Sequence, residues 1–276
     1  MFKIAITVRN RLSVTKKCIE AIQRHSGLPF QLYVYDNCTN YNLEGHFNYF
    51  REMIERKVVT QIVFNTEEST FSAFGKAVGS NMFGLQHEQD PDKDKVDFLL
   101  LLDNDVIVTP GFDKILSKAW GNVKKLKMNN IKVICQLPGG VKEKKLLKTT
   151  IAGFPACEGK LSGSGLWSIQ NNFFTEIGLL DLKDFQGLSK RHDQVYWRKI
   201  EKCTNGKPYI LGIKKKLAVH VGALVGSLCN TLTRNRNDPN VLEKIKFIEQ
   251  EKRIDAMSFE DFYSEIINNK KLINDW

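Results

Sequence analysis

The sequence predicts an α/β fold: a mostly parallel sheet flanked by helices, followed by a C-terminal helical extension. Two observations carry that prediction. Short apolar segments alternate with segments of helical spacing, the pattern of βαβ units joined by right-handed crossovers. Each of the first four apolar segments also ends on Thr, Asp or Asn. Parallel strands therefore bring those polar groups together along one rim.

Met1-Phe2-Lys3-Ile4-Ala5-Ile6-Thr7-Val8 reads as the first strand, running into the basic loop Arg9-Asn10-Arg11. Residues 13–22 have apolar positions 14, 18, 19, 21 and 22, the spacing of a helix with one buried face. Gln31 to Asn37 is a second strand ending on Asp36-Asn37, and Val58 to Asn65 a third. Residues 72–86 form the next helix. The fourth strand is Phe98-Leu99-Leu100-Leu101-Leu102, which halts on Asp103-Asn104-Asp105 and leaves through Thr109-Pro110-Gly111. Near the C-terminus, Val241 to Ile248 again has helical spacing after Pro239, a residue suited to a first turn. Ser258-Phe259-Glu260-Asp261 has the form of a second helix start. We expect these two helices to pack back on the domain.

Two readings fit the end of the fourth strand. Asp and Asn favour turns. Alternatively, two carboxylates one residue apart, at the carboxyl end of a central strand, repel each other until a cation sits between them. Ligands bind at that end of open α/β sheets, and Mg²⁺ or Mn²⁺ takes one or two carboxylates together with substrate phosphates.

The spaced motifs resemble those of the GT-A nucleotide-sugar glycosyltransferases, family 2-like, over residues 1–225. Thr7-Val8-Arg9-Asn10-Arg11 is similar to the family's nucleotide-contacting loop. Val34-Tyr35-Asp36-Asn37 is similar to its second-strand motif, whose Asp holds the base. Asn65, Phe74-Gly75-Lys76-Ala77 and Ser80-Asn81-Met82-Phe83-Gly84 resemble the stretch lining nucleotide and phosphates. Asp103-Asn104-Asp105 resembles the metal-binding Asp-x-Asp. Ser162 to Trp167 and Glu176 to Asp181 resemble the acceptor side, His192-Asp193 the family's Glu-Asp or His-Asp, and His220 the late histidine on metal or diphosphate.

The resemblance implies a GT-A, Rossmann-like fold. Residues 1–110 would be the nucleotide-sugar half, 111–235 the acceptor half and 236–276 the extension. It also implies a divalent metal, Mn²⁺ or Mg²⁺, and a nucleotide-diphosphate sugar, with UDP favoured. Donor contacts fall on Thr7, Val8, Arg9, Asp36, Asn65, Lys76, Asp103 and Asn104. Metal ligation falls on Asp105, His220 and Asp103, acceptor contacts on Trp167, Gly165 and His192, and general base catalysis on Asp193. A lone base with no carboxylate nucleophile points to inversion. Plainer roles stand beside three of these: a packed strand histidine for His220, a helix N-cap for Asp193, a core aromatic for Trp167. Two departures concern the donor loops: Cys38-Thr39 stands where the family commonly has Gly-Ser, and Thr66-Glu67-Glu68 replaces glycines after Asn65.

Composition agrees with a folded, water-facing protein. The chain has 276 residues, 42% hydrophobic and 26% charged, enough to bury a full core. No stretch approaches the roughly 20 apolar residues of a membrane span, and a strand at the very start leaves no room for a leader. Six scattered cysteines without Cys-x-x-Cys pairs argue against zinc and against a disulfide framework. We expect a cytoplasmic protein, in a host cytoplasm if viral. The net charge is +10. Lys124, Lys125, Lys127, Lys142, Lys144, Lys145 and Lys148 flank two antiparallel edge strands, with Lys214-Lys215-Lys216 and Arg234-x-Arg236 beyond. Such an excess suits an anionic partner or a set of solvated faces. The acceptor is accordingly a glycan or a hydroxylated base in DNA. A non-catalytic nucleic-acid-binding protein would use the charge but leave the acidic residues unexplained. A nucleotidyltransferase would want glycine in the first loop, where Arg9-Asn10-Arg11 has none.

Overall fold

A computed structural model describes residues 1–37, 39–65, 72–137, 146–159, 165–181, 192–221 and 241–269; for 72–77, 192–194 and 241–244 it describes backbone alone. In chain order the elements are β1 (Phe2–Val8), α1 (Leu12–His25), β2 (Phe30–Asn37), α2 (Leu43–Glu55), β3 (Gln61–Asn65) and α3 (Ser72–Gln89). There follow β4 (Phe98–Asp103), β5 (Val106–Val108), α4 (Phe112–Lys125), β6 (Val133–Gln136), β7 (Ala156–Gly159), β8 (Leu166–Ile169) and α5 (Phe173–Ile177). The chain continues through α6 (His192–Cys203), β9 (Ile210–Ile213), β10 (Ala218–His220), α7 (Val241–Ala256) and α8 (Phe259–Asn268).

An eight-stranded sheet has the order β3-β2-β1-β4-β8-β6-β9-β7. Its first four strands are parallel. β8 is antiparallel to β4 and β6, β9 is parallel to β6, and β7 closes the edge antiparallel to β9. The α/β, mostly parallel architecture expected from the sequence is the one present.

Alternation along β1 splits the core between the two sheet faces. Phe2, Ile4, Ile6 and Val8 pack with α1, α4 and the C-terminal helices. Ala5 packs on the other face with Tyr33, Phe83 and the aromatic residues of α5 and α6. Strands covered on both faces read as continuous apolar runs, as Phe98–Leu102 does.

Two expectations need correction, and one helix escapes the periodicity. The third strand begins at Gln61 rather than Val58, because Lys57 turns to φ 58° and the Val58 and Val59 amides donate back to the Met53 carbonyl, closing α2. α2 itself was not assigned from periodicity: its inward residues are His46, Phe50 and Met53, while Leu43, Phe47 and Ile54 face outward and blur the pattern. Finally, of the two strands flanked by lysines only β7 is an edge. β6 lies inside the sheet between β8 and β9.

The C-terminal helices pack back on the domain as expected, onto α1. Glu251 is buried and accepts from both the Ser13 amide and the Ser13 hydroxyl. Lys16 pairs with Asp255, Lys17 donates to the Met257 carbonyl and Arg24 pairs with Glu260. Ser258 caps α8 by accepting the Asp261 amide at 3.0 Å.

Candidate active site

Sheet register aligns the polar strand ends. Val8 lies opposite Asp36, Thr7 opposite Asp103, and Asn37 opposite Asn65. These residues fall on the carboxyl rim of four adjacent parallel strands.

The chain turns over that rim between β4 and β5. β5 pairs antiparallel with β10, with His220 opposite Val106, and the Val221 amide donates to the Asp105 carbonyl at 2.8 Å. This short sheet delivers a histidine from more than a hundred residues away. His220 Nε2 stands 3.2 Å from Asp105 Oδ1, and Arg11 Nη1 stands 2.6 Å from Asp105 Oδ2. Burial pulls the His220 pKa down, but the hydrogen bond to Asp105 and the charges of Asp105 and Asp103 outweigh it, so the imidazole titrates above its ordinary value. Below the turn, Cys18 donates its thiol to the Val106 carbonyl; burial, with Asp105 and Asp103 nearby, pushes that thiol far up, so it is inert.

Asp103 is braced by Gly165. The Asp103 amide donates to the Gly165 carbonyl at 2.9 Å, and a Cβ at Gly165 would lie 2.9 Å from Asp103 Oδ2 and 2.7 Å from Val106. The side chain at this position has to be a hydrogen atom. Asn104 is turned inward, its amide donating to Thr15 of α1 at 2.9 Å. It anchors the turn to α1 rather than extending over the rim.

On the second strand Asp36 is buried. It accepts the Thr39 amide at 2.8 Å and the Thr39 hydroxyl. Thr39, the departure from the family's usual Ser, thus supplies the same kind of donor. Desolvation raises the Asp36 pKa against the pull of those bonds and of Arg9. His46 of α2 lies beneath, its Nδ1 3.8 Å from Asp36, fully buried and held neutral: burial, with Lys16 adding to it, lowers its pKa to about 4.

Several expected residues are placed elsewhere. Val8 is in the core, so only its backbone reaches the rim. Trp167 is 4% exposed and packs on Trp197 with ring centroids 4.4 Å apart, facing the interior rather than offering an open platform. Arg9 is half-buried beside Asp36. His192 and Asp193 form the first turn of α6, not a loop before it; their side chains, like that of Lys76, lie outside the described residues. The residue missed by sequence reasoning is Arg11, which sits on Asp105, whereas the family resemblance puts the donor contacts on Arg9 and Lys76. Its position just past the first strand was the available signal.

No family model matches this sequence, and neither does any curated protein. Solved structures do match. One is GalNAc-T7 with UDP, GalNAc and Mn²⁺: TM-score 0.54, 14% identity, covering 78% of this chain and 42% of that one. Another is the mannosyltransferase PcManGT from Pyrobaculum calidifontis with GDP-Man and Mn²⁺: TM-score 0.51, 11% identity, covering 92% of this chain and 69% of that one. The chain has the GT-A fold.

Within this GT-A domain Asp105 and His220 bring a carboxylate and an imidazole together, donors that suit a hard or borderline divalent ion. Asp105 and His220 are already paired. Among the described residues no three acidic, histidine or cysteine side chains converge on one point. Among the same residues no helix is long and apolar enough to cross a membrane.

Proposed function

We propose that this protein is a metal-dependent glycosyltransferase. It moves a sugar from a nucleotide-diphosphate donor, UDP-sugar favoured, to an acceptor hydroxyl with inversion at the anomeric carbon. The observation that carries the reading is the meeting of Asp105, His220 and Arg11 at the rim that Asp36 and Asp103 share.

In this reading Asp36, fixed by Thr39, receives the base, and the backbone at Thr7 and Val8 runs alongside it. Asn65 lies further along the same rim, and Lys76 contributes from the first turns of α3. Asp103 takes the ribose or the metal. Asp105 and His220 would hold a divalent ion, which would supply charge neutralisation on the departing diphosphate. Asp193, at the N-terminus of α6, takes the acceptor proton as the hydroxyl attacks. Its neighbour His192 and the backbone at Gly165 border the acceptor. Trp167 shapes that wall from behind.

Charge supports one acceptor class. A net +10 and the exposed Lys214 and Lys215 favour an anionic acceptor, either an acidic glycan or a hydroxylated base in DNA. A thermal-shift panel of UDP- and GDP-sugars with and without Mn²⁺ tests the donor. The reading requires stabilisation by at least one nucleotide sugar that is lost in chelator, and slow donor hydrolysis with the same metal dependence. Absence of both overturns it.

A further inference from the structure

We propose that Arg11 is the resident counter-cation of Asp105. It holds the carboxylate until a nucleotide diphosphate arrives, so that metal binds well only together with the nucleotide. The proposal deepens the glycosyltransferase reading above and rests on it.

The geometry is specific. The Arg11 and Asp105 side chains are 12% and 10% exposed and meet at 2.6 Å. A charge pair this shielded interacts far more strongly than one in water. The reach of Arg11 is built into the backbone. Asn10 and Arg11 are consecutive left-handed residues, φ 53° and 52°, a conformation that asparagine tolerates and that is uncommon for arginine.

The contacts that hold this loop are visible. The Asn10 amide donates to Thr39, and its side chain accepts the Asn40 and Tyr41 amides at 3.1 and 2.9 Å. On the far side Glu251 of α7 clamps Ser13. The loop is fastened to the Asp36 side of the rim at one end and to the C-terminal extension at the other. Arg11 is aimed from between them.

A divalent ion on Asp105 must share that carboxylate with a guanidinium, and like charges there raise each other's free energy. A diphosphate removes the conflict. Its oxygens match the planar fork of arginine, so Arg11 exchanges the carboxylate for phosphate while the ion takes the carboxylate. Metal and nucleotide then favour each other's binding by the same factor.

The test is Mn²⁺ binding to the full chain, read from the loss of the free Mn²⁺ resonance, with and without UDP. Wild type, Arg11→Met, Arg11→Gln and Arg11→Lys are compared, each checked for folding by circular dichroism. Wild type should bind Mn²⁺ at least about tenfold more tightly with UDP than alone, a coupling of ordinary allosteric size. Arg11→Met and Arg11→Gln should bind Mn²⁺ alone about tenfold more tightly than wild type and gain little from UDP. Arg11→Lys, which keeps the charge, should stay near wild type. If the Met variant does not fold, the isosterically milder Gln variant decides. The proposal is overturned if neutral variants bind Mn²⁺ no more tightly than wild type while wild type binds it with UDP. If wild type binds neither UDP nor Mn²⁺, the donor-site reading itself falls, and this proposal with it.

Discussion

Asp105 spends one carboxylate oxygen on Arg11 and the other on His220, and it lies at the end of a strand whose packing comes from Phe98 to Leu102. Asp105→Ala should therefore abolish transfer and donor hydrolysis while leaving the far-ultraviolet spectrum unchanged. Full activity in that variant, or undiminished wild-type activity in excess chelator, would remove the metal from the mechanism. Asp193 tests a different part of the chemistry. Asp193→Asn should leave UDP affinity nearly unchanged and lower turnover by about two to four orders of magnitude, the usual worth of a general base. Loss of donor affinity with turnover retained would make it a structural cap or a donor ligand instead. Gly165 marks how tightly this rim is built: Gly165→Ala pushes on Asp103 and Val106 together.

At the scale of elements, α2 places a neutral buried histidine under the nucleotide end of the rim. The folded-state pKa of His46 is lowered from 6.5 to about 4. The unfolded chain therefore binds the extra proton, and the stabilisation is complete above pH 6.5 and lost as pH falls toward 4. The loss is about 1.4 kcal/mol per pH unit across that window. Asp36, with its raised pKa, works in the opposite sense just above 3.8. The difference between wild type and His46→Gln isolates the histidine. Urea melts should show wild type losing stability relative to the variant from pH 6.5 to 4, and a pH-independent difference would rule the assignment out. α7 acts on α1 across 238 residues. Arg11, the residue preceding α1, offers no side-chain cap, and Glu251 supplies one from the extension. Glu251→Ala leaves the Ser13 amide and hydroxyl buried without that acceptor, which should cost about 1–3 kcal/mol in the same melts.

For the whole molecule the open question is the acceptor, and the charge distribution sets the experiment. Reversing Lys144, Lys145, Lys214 and Lys215 should leave metal-dependent donor hydrolysis intact. If the acceptor is DNA, wild-type affinity for duplex should fall steeply with salt, because each phosphate contact releases condensed counterions. The reversed variant should show a shallower slope and lose transfer to DNA. No measurable affinity at low salt would leave a glycan or lipid-linked acceptor. Lys144 and Lys145 lie outside the described residues.

Much of this molecule follows from local pattern. The alternation of apolar and helical segments determined the parallel half of the sheet, and the polar residue at each strand end determined the rim. Ser258 and Asp261 announced α8, and Asp103-Asn104-Asp105 announced the turn above β4. These are readable because they depend on neighbours within a few residues. What the tertiary structure decided depends on contacts between distant segments. The β5–β10 pairing brings His220 to Asp105, and two left-handed residues aim Arg11 rather than Arg9 at the same carboxylate. The second core cluster turns Trp167 inward, and β8 and β9 enclose β6 where the flanking lysines suggested an edge. Periodicity reports which face of an element is buried, but register and crossover decide what that face meets.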